Sequence, residues 1–294
     1  MKVVGRLLAA FLLAAFATGC ASPAADDGDA DEITVTDVDG SSDHRIFRAG
    51  GLTRVLLEPV VWRLVDSEKI SLDWSVTDCL KTTPIPPEYE RLTLRTLLAG
   101  EAALPDDFAM EDDETPRAAF VRGLWRIRTR GRLMLDAPHP SDVAYALFWF
   151  AVSERLGMSF GDLLDEYLVK PYGLKDTSFE PVPSRRPRLV RAEAVEGERL
   201  TLPRLFAGGL LTSPHDILRV AYVMLPHVAA RSRARLQAST LLCGNEILYA
   251  LWESSDGAAF LGFDVVSKRV ILRLTTAREV GAADLLVKMD GLAS

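Results

Sequence analysis

Cysteine and histidine are scarce in this 294-residue chain. The three cysteines, Cys20, Cys79 and Cys243, and the four histidines, His44, His139, His215 and His227, show none of the spacings that bind zinc or attach haem. Neither a metal nor a cofactor is therefore expected. Also missing is an apolar run long enough to cross a bilayer; "LLAAFLLAAFA", residues 7–17, stops well short. There is no surplus of basic residues. The formal net charge is −7, which argues against nucleic acid as a partner. No internal repeat is visible. What remains, 48% hydrophobic and 26% charged, is ordinary globular composition, enough for one large core or a core with a smaller lobe.

The amino terminus has the layout of a signal peptide over residues 1–20: Lys2 and Arg6, the short apolar run, then "ATGC". Small residues directly before a cysteine resemble the bacterial lipobox, in which cleavage frees Cys20 for lipidation. A plain secretory signal or an uncleaved anchor is the alternative. Ala21 rather than Asp follows the cysteine, which in a Gram-negative host resembles the outer-membrane sorting pattern. Residues 21–32, "ASPAADDGDADE", are acidic and small and read as a solvated tether, leaving residues 33–294 as the folded domain. The expectation is an exported, lipid-anchored chain. It would sit on the periplasmic face of the outer membrane in a Gram-negative host, or otherwise on the outer surface of the cell membrane. Export would place Cys79 and Cys243 in an oxidising compartment, where they form one disulfide or stay two separate buried thiols.

Periodicity places the elements. "EITVTDV" alternates as a strand, and residues 51–69 read as a buried helix interrupted by Pro59, kinked there or starting later. "TLRTLLAG" is a short helix ending at Gly100, and residues 106–117 form an acidic loop. "DVAYALFWFAVSERLG" is a second buried helix, capped by Ser141 or Asp142 and stopped by Gly157. Ser159 with Asp162, and Ser213 with Asp216, form capping boxes for two further helices, and another helix follows Pro226. "EILYALWES", "AAFLGFDVV" and "RVILRLTT" form a β-meander, with "AADLLVKMDGL" as a closing helix. Strands at both ends and helices between predict an α+β fold: an antiparallel sheet built from both termini with an inserted helical lobe.

Four phrases, in order, resemble the serine β-lactamase and DD-peptidase-like superfamily, in particular its class C-related esterase and penicillin-binding branch. "FRAGGLTRV", residues 47–55, holds the frame of the family's F-x-x-G-S-x-T-K through Phe47, Gly50 and Thr53, and "LVDSEKISLDWSV" continues it. "LTLRTLLAGEAALP" is similar to the family's "ITIRHLLTHTSGLP". The block from Ser141 to Phe179, ending in "YGLKDTSF", is similar to its "YSNTGYNLLGYIIEKVTG…PLGMKDTSF", and "AGGLLTSPHDILR" to its "AGGLVSTAEDLAR". The resemblance implies a β-lactamase/transpeptidase-like fold.

It also implies a chemistry that these residues do not supply. In Ser-x-x-Lys, positions i and i+3 at a helix start share a face, so a desolvated neutral lysine takes the proton of an otherwise weak nucleophile. Here the nucleophile position is Gly51 and the base position Arg54, a guanidinium that cannot accept that proton. No Ser-x-x-Lys occurs anywhere else in the chain. The second motif, Tyr-x-Asn, falls on Pro140, Ser141 and Asp142. The third, Lys/His-Thr/Ser-Gly, has only "SSDG" nearby, where Asp256 and Gly257 suit a hairpin turn.

"GMSFG", residues 157–161, matches Gly-x-Ser-x-Gly, with Asp216 and His227 downstream, but that elbow requires a strand before it and a helix precedes it here. His139 reads as a loop residue beside the second motif, and His215 as a first-turn surface residue. "RGLWRIRTRGR" clusters Arg122, Arg126, Arg128, Arg130 and Arg132 as a solvated face or an anion-binding patch. The expected function is a pseudoenzyme: a lipid-anchored envelope protein that binds peptidoglycan, a peptide or an envelope protein without acyl transfer. The alternative is an active esterase, amidase or peptidase of the same superfamily with a non-standard nucleophile, Ser159 or Ser141. A pairing of Arg54 with Asp142 would plug the cleft and favour a surface role.

Overall fold

The computed structural model describes residues 32–35, 44–109, 111, 115–127, 139–190, 199–233, 242–243, 247–254, 257–264 and 268–275. Strand β1 is Glu32–Val35 and β2 is Phe47–Arg48. Helices α1 (Leu52–Asp66), α2 (Val76–Cys79), α3 (Leu94–Leu98) and α4 (Pro116–Arg126) follow, with a 3-10 turn at Pro87–Arg91. Next are α5 (Asp142–Leu156), α6 (Phe160–Leu164), a π-helical turn at Asp165–Val169, and α7 (Lys170–Tyr172). After a 3-10 turn at Pro183–Arg188, α8 (Leu202–Gly208), β3 (Leu211–Thr212) and α9 (Pro214–Arg233) complete the helical part. The last strands are β4 (Leu242–Cys243), β5 (Ile247–Ser254), β6 (Gly257–Asp264) and β7 (Arg269–Thr275).

Five strands form one antiparallel sheet in the order β1-β7-β6-β5-β4. The first described strand thus pairs with the last, Glu32 opposite Thr275, and the helical part lies between β1 and the remaining strands of the sheet. The expected α+β architecture is the one observed. In the meander, Ser254 pairs with Gly257 across the β5–β6 hairpin, where the sequence marks a turn. A second, two-stranded sheet joins β2 to β3 and stands just before α1.

Helix α5 is the centre of the helical lobe. Every residue from Val143 to Val152 is buried, Trp149 and Phe148 completely. Each large side chain so placed contributes about 2 kcal/mol from apolar burial. The helix begins where Ser141 Oγ accepts the Ala144 N–H at 3.1 Å and ends at Gly157, whose φ of 64° is the left-handed conformation of a helix stop. Ser141, not Asp142, is therefore the cap.

Of the two helix-interior prolines, Pro59 lies inside the buried helix as the first of the two sequence readings had it, and Pro226 corrects the sequence reading. Helix α1 already starts at Leu52, so Pro59 lies well inside it rather than in its first turn. Pro226 does not separate two helices; α9 runs continuously through it. A proline costs about 3 kcal/mol in a helix interior. Burial of Leu56, Leu57, Val60, Val61 and Leu64 around the first, and of Val220, Ala221, Met224 and Leu225 before the second, outweighs that cost. The acidic loop is also shorter than expected, because Thr115 caps α4 and Pro116 and Arg117 are helical. Arg122 and Arg126 lie on α4, whereas Arg128, Arg130, Arg132, Cys20, Asp256 and the closing helix fall outside the described residues.

Candidate functional site

The two-stranded sheet aims the start of α1. Ala49 donates to the Leu210 carbonyl at 2.7 Å, and the chain turns at Gly50, whose φ of 53° favours glycine. Leu52 and Thr53 then donate to the carbonyls of Ala49 and Gly50 at 3.1 and 2.9 Å. Thr53 is completely buried, and its hydroxyl accepts the Leu210 N–H at 3.4 Å. Gly51, by contrast, has φ −59° and ψ −19°, an ordinary right-handed geometry open to any residue. Nothing in its own backbone requires glycine at the nucleophile position.

Arg54 does not stand free in the cleft. Its Nη2 donates to Oδ1 of Asp142, its guanidinium lies 5.0 Å over the Tyr145 ring, and Tyr145 Oη donates to the Arg54 carbonyl at 3.4 Å. The Arg54 side chain is only 13% exposed, against 38% for Asp142. Burial pushes the Asp142 carboxyl upward, against the pull of Arg54, and the nearby negative charges of Asp106 and Asp107 act in the same direction as burial. Burial also drives the Tyr145 phenol well above its ordinary range. Tyr145 is thus a protonated donor at neutral pH. Its part was legible in principle, since it follows Asp142 by three positions and so shares a helix face with it.

The serines considered as substitutes are committed elsewhere. Ser141 is 2% exposed; besides capping α5 it donates to the Pro105 carbonyl at 2.6 Å. Pro140 beside it offers no hydroxyl, and the segment is wedged against Gly100. A Cβ there would come within 3.0–3.1 Å of His139 and Pro140 backbone atoms, and φ is 70°. His139 is an exposed loop residue whose N–H donates to the Gly100 carbonyl at 2.7 Å. Ser159 is exposed at the start of α6, where it accepts the Asp162 N–H at 3.1 Å and donates to the Asp162 carboxylate at 2.6 Å. A helix precedes it, as the capping reading requires.

The other members of that elbow reading are equally occupied. His227 lies exposed on α9 with its ring centroid 5.2 Å from that of Trp62. Asp216 is buried and accepts from Asp176 N at 2.8 Å, Thr177 Oγ1 at 2.8 Å and Lys175 N at 3.4 Å. Thr177 gives its one proton to that carboxylate, so Thr212 is the donor in their 2.9 Å contact. Asp176 in turn accepts from His44 Nδ1 at 2.9 Å and pairs with Arg188 at 2.8 Å. This buried network was missed from sequence; it ties the "KDTSF" phrase to the "SPHD" phrase. Cys79 is a free, buried thiol at the end of α2, pushed up to about 11 by burial, and the Cys243 side chain lies outside the described residues.

Comparison with known proteins agrees with the geometry of the scaffold. The Beta-lactamase family profile matches residues 37–261. The D-alanyl-D-alanine-carboxypeptidase/endopeptidase AmpH of Escherichia coli (strain K12) is 25% identical over 185 residues, covering 59% of this chain and 47% of that protein. The chain therefore spans about half the length of the curated relatives it matches. A class C beta-lactamase superposes with a TM-score of 0.65 at 14% identity, covering 85% of this chain and 82% of its own. The D-amino acid amidase from Ochrobactrum anthropi SV3, complexed with L-phenylalanine, gives 0.61 at 18% identity, with 86% of each chain covered. The overall fold is thus that of solved class C beta-lactamases, and the chain belongs to the beta-lactamase family.

Proposed function

We propose that this chain is a catalytically silent member of its family, held at the cell envelope by a lipid on Cys20 and acting there in binding. One observation carries the reading: the base position is Arg54, and its guanidinium is bound to Asp142 beside a nucleophile position that is Gly51. A protonated guanidinium accepts no proton, and glycine offers no oxygen to acylate. Peptidoglycan, a peptide or an envelope protein is the proposed partner class. With Arg54 and Asp142 spent on each other, contact through the outer surface is favoured over insertion of a small molecule beside Gly51. Relatedness to a carboxypeptidase/endopeptidase supports the envelope setting, and the signal-like residues 1–20 support export.

The test is covalent labelling. Purified protein is incubated with a fluorophosphonate probe and with a fluorescent penicillin, then examined by gel and intact mass. No adduct is expected with either reagent. A stoichiometric adduct on one serine, abolished by Ser141→Ala or Ser159→Ala, would overturn the proposal in favour of an active hydrolase with a displaced nucleophile. Lipidation is checked by metabolic labelling with a palmitate analogue, which Cys20→Ala should abolish.

A further inference from the structure

Three contacts draw helices α1, α7 and α9 onto one outer face, which shares no residue with the corner around Gly51, Arg54 and Asp142. On α1, the Trp62 ring centroid lies 5.2 Å from that of His227 on α9. Arg63, next along α1, donates from Nε to the Tyr172 hydroxyl at 3.2 Å, and its guanidinium lies 5.1 Å from the centre of that ring. Arg219, on α9, donates from Nε to the Tyr172 carbonyl at 3.1 Å. Arg219, Val223 and His227 follow one another at intervals of four residues, so they form one stripe along α9. Val223 is 39% exposed; among the described residues only Trp125 is another large hydrophobic side chain left so open. Pro226 beside it is exposed too.

The face is positive in a chain whose net charge is −7. Arg63, Arg219, Lys170 and Lys175 are all exposed. Among the described residues neither arginine pairs with a carboxylate; both lean on Tyr172, although Asp66 stands one turn along α1 from Arg63. Cations set around exposed aromatic and aliphatic side chains match the boundary of an anionic bilayer. There phosphates take the charge, while rings and a short aliphatic side chain reach the edge of the acyl region. The chain that leads to this face also comes from the amino terminus. Glu32 opens β1, β1 pairs with β7, and α9 packs on β7. Cys20 and Glu32 are 12 positions apart. That span reaches about 40 Å at most, enough for the domain to lay this face on the membrane that holds Cys20.

We propose that the α1–α7–α9 face rests on anionic lipid headgroups and so sets which side of the domain points away from the membrane. The proposal rests on the reading of Cys20 as a lipid anchor. Full-length protein is mixed with vesicles of phosphatidylcholine, alone or with about one third phosphatidylglycerol, and mapped by hydroxyl-radical footprinting. Anionic vesicles are expected to lower oxidation of Trp62, Tyr172 and His227 about threefold or more, leaving Trp125 on α4 unchanged. The protection should vanish in about 1 M sodium chloride, where the screening length is about 3 Å. Arg63→Glu/Arg219→Glu should abolish it without moving the melting temperature. No protection, equal protection in the two vesicles, protection that survives salt, or protection of Trp125 in place of Tyr172 would each overturn the proposal. Protection by soluble peptidoglycan fragments but by neither vesicle would overturn it in favour of a cell-wall surface. Flotation with phosphatidylcholine vesicles reports the anchor alone. Its failure alongside charge-dependent footprints would count against the lipid on Cys20 and not against this face.

Discussion

Arg54, in the first turn of α1, and Asp142, the first residue of α5, hold each other across the place where acyl transfer would occur. The pair brings two helix N-termini together. Each is the positive end of a helix dipole, and a guanidinium is a third positive element, so one carboxylate answers all three. Tyr145 completes the arrangement by lying under the guanidinium and donating back to the Arg54 carbonyl.

Removing the carboxylate should therefore cost more than removing the arginine. Asp142→Ala leaves a mostly covered guanidinium without its counter-charge and is expected to lower unfolding free energy by about 1–3 kcal/mol in urea denaturation. Arg54→Met keeps the contact with the Tyr145 ring and should cost less. Equal losses for the two would show that the ion pair does not organise this corner.

Gly51→Ser tests the nucleophile position alone. The backbone there is ordinary right-handed helix, so the variant should fold with a stability change within about 0.5 kcal/mol. It should still fail to form a penicillin adduct, because Arg54 cannot accept the hydroxyl proton. Gly51→Ser/Arg54→Lys restores the spacing but not the tyrosine at Pro140, and is expected to stay unlabelled too.

The two caps separate by burial. Ser141→Ala loses both the Ala144 cap and the donor to Pro105 in a buried setting, for an expected loss of about 1–2 kcal/mol. Ser159→Ala, exposed, should cost about 0.5–1 kcal/mol. Chemical denaturation reads both, and a larger loss at Ser159 would contradict the assignment.

Acid should weaken the fold through two carboxylates. Burial alone would raise Glu154, but Arg117, Thr82 and Thr83 hold it below the usual range; burial likewise opposes His44 and Arg188 at Asp176, and the partners prevail. A depressed folded-state value means stability that is fully present above the unfolded-state value, near 4, and lost as pH falls through the lower folded one. Asp142 has the opposite sign, because burial raises it: its contribution is greatest at low pH and declines as pH rises through its folded value. Glu154→Gln should thus flatten the stability profile below about pH 4, and Asp142→Asn should not.

Cys79 should resist alkylation. Its thiol is buried and pushed up to about 11, so iodoacetamide at pH 7.5 is expected to modify it only after unfolding, with no reductant needed. A native mass two hydrogens lighter than the reduced protein, mapped to Cys79, would instead reveal a disulfide.

How much was legible follows from what kind of interaction holds each part. Local rules settle most caps and the periodicity, so Ser159, Ser213 and Gly157 could be assigned their places from neighbours three or four residues away, while the choice between Ser141 and Asp142 needed the structure. The meander and its hairpin were equally readable. Pro226 was not, because a proline's cost is local while the burial that overrides it comes from distant segments. The network joining Asp216, Thr177, Asp176 and His44 was invisible for the same reason, spanning separations of up to 132 residues.

By itself the sequence determined what is absent: no hydroxyl at Gly51 and no titratable amine at Arg54, which are facts of composition at given positions and need no coordinates. It also determined the family, through four phrases in order. Only the tertiary structure decided what Arg54 does instead. The distance from Arg54 to Asp142 along the chain is 88 residues, and whether a charge that far away becomes a partner depends on how α1 and α5 are packed.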